Sequence, residues 1–142
     1  MYTNEELVRY SDIIVHGTLT YSYSFVEWYA SGNVAVPSVY TVWTIKHSES
    51  FKGKNDVKTE FVVNGGTYND IVQNVMHDTV MNIGDEVVVF LTKDPDSIYK
   101  DYYYMVGIES GIYKIHDDII KNSYLKSSYD TNSFKETLRN QN

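Results

Sequence analysis

The run EVVVFL, Glu86 to Leu91, constrains this chain most. It follows a turn at Gly84-Asp85, and from Val87 onward it shows no polar residue. A strand with one wet face alternates apolar and polar side chains, so a strand without alternation must be covered on both sides. At 142 residues the chain is a single domain, large enough to bury a real core. A sheet that wraps round on itself, with a helix or loop laid outside one strand, meets the requirement of Val87–Leu91.

The remaining segments read as partners for that strand. Thr3 and Glu6 have the spacing of a capping box, which predicts a two-turn helix ending near Tyr10 with Leu7 and Val8 inward. From Val15 the odd positions read Val15, Gly17, Leu19, Tyr21, Tyr23 and Phe25, and the even ones His16, Thr18, Thr20, Ser22 and Ser24. This predicts a long strand that buries its odd face, with Gly17 placed for a bulge or a close backbone approach. A turn at Ser31-Gly32-Asn33 leads to an antiparallel strand over 38–51, and a turn at Lys52–Asn55 leads to a third over 56–64. In the third, Val57, Thr59, Phe61 and Val63 share one face; Lys58, Glu60 and Val62 share the other. Gly65-Gly66 ends it. Residues 67–83 partly fit helical spacing but lack strong helix formers, so a loop with a helical turn is expected. After the apolar strand, KDPDS is a turn, 99–109 is a fifth strand, and IYKIH is a short final strand. Ser133 and Glu136 again have capping-box spacing, and Phe134 and Leu138 form an i,i+4 pair, which predicts a short helix in a polar tail over 117–142.

A three-strand meander, a break, then two or three strands is the order of a five- to six-stranded OB-type closed barrel, here mainly β with short N-terminal and C-terminal helices and a core over about residues 11–116. A β-sandwich is the alternative, because its hairpins carry the same local signals. The segments YSDIIVHGTLT, YTVWTIKHSESFKGK, FVVNGG, NIGDEVVVFL and YYYMVGIESGIYKI follow one another as in the netrin-like module, the fold of the tissue inhibitors of metalloproteinases. The chain also resembles a group of bacterial and archaeal surface proteins with this order. The resemblance spans roughly residues 8–115. It implies an OB barrel and an extracellular or cell-surface setting, with a cytoplasmic location as the alternative. The N-terminus has no basic region followed by an apolar one, so an exported form would have lost its signal. Metalloproteinase inhibitors act through an N-terminal cysteine and are braced by disulfides. This chain has no cysteine, so the resemblance carries over no inhibitory residue.

Composition narrows function further. A net charge of −7 without a basic cluster disfavours nucleic acid and anionic lipid. The absence of cysteine removes thiol nucleophiles, disulfides and cysteine zinc sites. No apolar run approaches the ~20 residues of a membrane-spanning helix. Of the histidines, His16 and His47 sit on strands whose antiparallel register brings His16 opposite Glu49 and His47 opposite Thr18 or close by. A His16–His47–Glu49 cluster on one face is therefore a weak metal candidate, with surface polar pairing as the plainer alternative. His77 with Asp78 in the 67–83 segment is a thinner proton-transfer candidate. No cofactor motif occurs.

Fourteen tyrosines, five phenylalanines and two tryptophans are the compositional excess. Most fit a half-buried pleated surface. The candidates for recognition are Trp28 and Tyr29 beside the first hairpin tip, Trp43, Tyr102 and Tyr104. The leading expectation is a non-enzymatic interaction domain with a protein partner. The others are a carbohydrate-binding OB module using exposed aromatics, and a metal protein or hydrolase using His16, His47 and His77.

Overall fold

The computed structural model of the protein describes residues 2–74, 76, 78–94 and 101–141. The chain begins with helix α1 (Asn4–Tyr10), capped as its sequence requires: the Glu6 amide donates to Thr3 Oγ1 and the Thr3 amide to Glu6 Oε1. Strands β1 (Ile13–Ser31) and β2 (Val34–Lys52) form one long hairpin around Gly32, whose φ is +63°. Strand β3 (Lys58–Asn64) completes the meander. Two short strands follow, β4 (Gly66–Tyr68) and β5 (Ile71–Gln73), then β6 (Glu86–Lys93) and β7 (Tyr103–Met105). A 3-10 turn (Ile108–Gly111) leads to β8 (Ile112–His116), β9 (Ile119–Asn122), β10 (Ser127–Asp130) and helix α2 (Thr131–Asn140). The protein is mainly β, with one short helix at each end.

Strand pairing runs β1–β2–β3–β7–β6, and β6 pairs again with β1. All of these pairs are antiparallel except β3 with β7. β8 pairs with Val87–Val89 of β6 on the same edge that β7 takes at Leu91–Lys93, opposite β1, and β9 and β10 extend the sheet from β8.

The apolar strand lies at the junction of two cores. Val87 through Leu91 are each fully buried. Val87, Val89 and Leu91 join Val15, Leu19, Ile45, Phe61 and Ile112 in the core within the ring of pairings. Val88 and Phe90 join Leu7, Ile14, Tyr113, Ile120, Phe134 and Leu138 in a second core, closed by α1 and α2. Both faces are dry, and the outer cover is a pair of amphipathic helices rather than a loop.

Gly17 behaves as anticipated. The register shifts between His16 and Gly17, and a Cβ there would lie 2.1 Å from the Lys46 carbonyl oxygen. Gly65 and Gly66 end the meander at φ +106° and +127°, where only glycine is unstrained.

Several expectations need correction. The last of three register shifts along β1, between Leu19 and Tyr21, leaves Thr20 as an extra residue. An inserted residue inverts the alternation, so Tyr21 and Tyr23 are exposed instead of sharing the buried face of Val15 and Leu19. Val57 precedes β3 and is exposed, while Val62, assigned to the polar face, is buried. Residues 66–73 form the β4–β5 hairpin, and no helical turn occurs among the described residues of 67–83. The fifth strand is only Tyr103–Met105, because Gly107 and Ile108 turn at positive φ. The expected turn at Pro95 lies outside the described residues. The segment read as polar tail contains β9 and β10, pinned by buried Ile120 and by buried Asn122, which donates to the Ser110 carbonyl at 2.9 Å. α2 is capped by Asp130, which accepts from the Ser133 amide, so it starts earlier than a Ser133–Glu136 box would place it.

Candidate functional site

The bulge at Thr20 creates the site. Beyond it, Tyr21, Tyr23, Phe25 and Tyr29 alternate onto the outer face of β1. Directly paired residues project to the same face of a sheet. The pairs Tyr23 with Val42, Val42 with Val62, and Val62 with Tyr104 therefore make one row across four strands. Val42 and Val62, both buried, lie between the two tyrosines. The next row places Phe25 beside Tyr40, with ring centroids 5.5 Å apart and 24° between planes.

Hydroxyl pairs tie the rows together. Tyr23 and Tyr102 share a hydrogen bond at 3.2 Å, and Tyr29 and Tyr40 one at 2.9 Å. Those bonds, aided by partial desolvation, push the Tyr23 and Tyr29 phenols each up to about 12. Glu60 beside Tyr23 and Glu27 beside Tyr29 act in the same direction. The phenols stay neutral through the physiological range, and each can donate or accept. An open groove of about 430 Å³ runs past Tyr102 and Tyr103, lined also by Asp56, Glu60, Asp101 and Lys58. The rim of the tyrosine face is thus predominantly acidic.

The five recognition candidates fall into three places. Tyr29, Tyr102 and Tyr104 join the outer face. Trp28 alternates to the opposite face of the hairpin, where it is 58% exposed. There the hairpin is held at its base by Gln73, whose side chain accepts from the Val39 amide at 2.6 Å and donates to the Pro37 carbonyl at 2.9 Å. Trp43 points inward, packing with Met76 and Met81 against the ring core. Tyr23, Phe25 and Tyr40 are site residues that sequence reasoning missed. The repeat Tyr21-Ser-Tyr-Ser24 was the signal for Tyr23, and it fits either phase of the strand; Phe25 and Tyr40 lie outside it.

The histidines separate. His16 pairs with Glu49 and Gly17 with His47, which leaves Ser48 bulged between them. His47 turns toward β3 and meets Thr59 Oγ1 at 2.7 Å. His16 is buried on the other face, with Nε2 3.2 Å from Glu86 Oε1 but aligned for no hydrogen bond. Glu49 there receives two bonds from Arg139 of α2, at 2.6 and 2.8 Å. Burial pushes both imidazoles below their ordinary value; at His16 the Lys135 ammonium adds to this, and Glu86 and Glu49 oppose it. Among the described residues no group of three or more His, Asp or Glu side chains is arranged to hold a metal ion. His77 lies outside the described residues.

Comparison with protein-family models, with curated proteins and with solved structures finds no match to this chain.

Proposed function

We propose that this chain is a non-enzymatic binding domain, built on an OB-type closed barrel, that docks a basic protein partner on its outer tyrosine face. The barrel reading is supported by the circuit β1–β2–β3–β7–β6–β1, with its parallel β3–β7 pair. It agrees with the netrin-like order of segments, and that resemblance is also the ground for a secreted or cell-surface setting.

The binding role rests on one observation: Tyr23, Tyr29, Tyr40, Tyr102 and Tyr104 share a face, with the hydroxyls of Tyr23 and Tyr102, and of Tyr29 and Tyr40, already paired and valines beneath. Tyrosines ordered before binding lose little entropy on contact, and aromatic anchors dominate interface energetics. The acidic residues Glu27, Glu60 and Asp101 around them, together with the net charge of −7, complement arginine side chains, which stack on tyrosine rings as well as pair with carboxylates.

Selection of peptides from a random library against the full chain tests this. The expected binders carry arginine with aliphatic residues, weaken with salt, perturb the amides of β1, β2 and β7 in NMR spectra, and lose affinity at least tenfold against a Tyr29→Ser/Tyr102→Ser variant. Binders that map elsewhere, or that ignore the double substitution, would overturn the reading.

A further inference from the structure

We propose a second, separate site: the cleft at the mouth of the ring, beside Trp43, takes a neutral sugar ring, a pyranose or comparable cyclic polyol. This site is independent of the tyrosine face, because Trp43 belongs to the inward-facing side of β2.

The cleft has a volume of about 260 Å³ and lies between β2, the β4–β5 hairpin and the segment around Met81. That suits a small ligand of one or two rings. Its walls are built. On one side, Thr41 donates to the Gly65 carbonyl at 2.8 Å and Ser24 meets Thr41 at 2.9 Å. A Cβ on Gly66 would stand 2.2 Å from Thr41 Oγ1, so backbone, not side chain, forms this wall. On another, Gln73 is committed to the backbone of β2 and holds the hairpin in place.

The lining selects the ligand. Trp43, Val63, Met76 and Met81 supply apolar surface, and exposed Asn74 supplies an amide. No charged side chain occurs among the described lining residues. An ionic ligand would meet no counter-charge among those residues, and a wholly apolar one would leave the Asn74 amide without a partner. A pyranose presents a C–H face that packs on an indole ring and a rim of hydroxyls that both donate and accept, as amides do.

The test uses the full chain carrying Trp28→Phe, which leaves Trp43 as the sole tryptophan. Glucose, galactose, N-acetylglucosamine and their β-linked disaccharides are titrated against its fluorescence, with saturation-transfer NMR on the unsubstituted protein. Glucuronate and cyclohexanol serve as charged and apolar comparators. The expected result is a saturable response to at least one neutral sugar, reduced at least fivefold for both comparators and at least fivefold by Asn74→Ala. Asn74 is exposed, so that variant folds. No saturable response to any sugar, equal binding of a comparator, or indifference to Asn74→Ala would each overturn the proposal. None of these outcomes bears on peptide binding at the tyrosine face.

Discussion

Strand β6 makes a quantitative demand that two substitutions can test. Val88 faces the core under the helices and Val89 the core within the ring, and both are fully buried. Val→Ala removes two methyl groups from each. At ~0.8 kcal/mol per buried group, the transfer loss is about 1.6 kcal/mol. A cavity left in a partly relaxing core adds about 1 kcal/mol. Each variant should therefore lose about 2.5 kcal/mol, and the two losses should be equal within ~1 kcal/mol. With a urea slope of ~2 kcal/mol/M, each midpoint falls by about 1 M. Equilibrium urea denaturation followed by circular dichroism measures both. If Val88→Ala cost less than ~0.5 kcal/mol, the range of ordinary surface substitutions, the outer face of β6 would be wet and the second core would not exist in solution. The same result for Val89→Ala would refute the core within the ring.

Three further outcomes follow from the same geometry. Gly17→Ala places a methyl group 2.1 Å from the Lys46 carbonyl; it should cost at least about 2 kcal/mol, and a melting temperature within a degree of the parent would show that the bulge adapts freely. His16 and His47 have folded pKa values below their ordinary 6.5, so the unfolded chain binds protons more readily and stability falls as pH drops below that value. Urea melts at pH 7.5 and 5.5 should show this loss, and a His16→Gln/His47→Gln variant should show less of it. Tyr23 and Tyr29, held at about 12 against an ordinary 10, should give an ultraviolet titration with a phenol phase near pH 12; Tyr102→Phe should bring Tyr23 back down, and an unchanged curve would show that the hydroxyl pair is not the cause.

What local pattern could establish, it did. The Thr3–Glu6 box, the turns at Gly32 and Gly65-Gly66, the antiparallel hairpin and the doubly buried β6 depend on residues close in sequence, whose spacing and backbone freedom decide the outcome. The opposition of His16 and Glu49 agrees with counting outward from one turn because an extra residue on β1, Thr20, is offset by one on β2, Ser48. Counting fails at a bulge. Thr20 and Ser48 each add a residue that no pattern announces, and each turns the following side chains to the other face. The first bulge moved Tyr21 and Tyr23 outward; the second parted His47 from Glu49. Long-range pairing was equally beyond local reading. The parallel contact of β3 with β7 sets Tyr104 beside Val62, and α1 and α2 meet over Val88 and Phe90 although nearly the whole chain lies between them. Such contacts are chosen by burial summed over the whole molecule, so the number of tyrosines was plain in the chain while the face they share belongs to the tertiary structure alone.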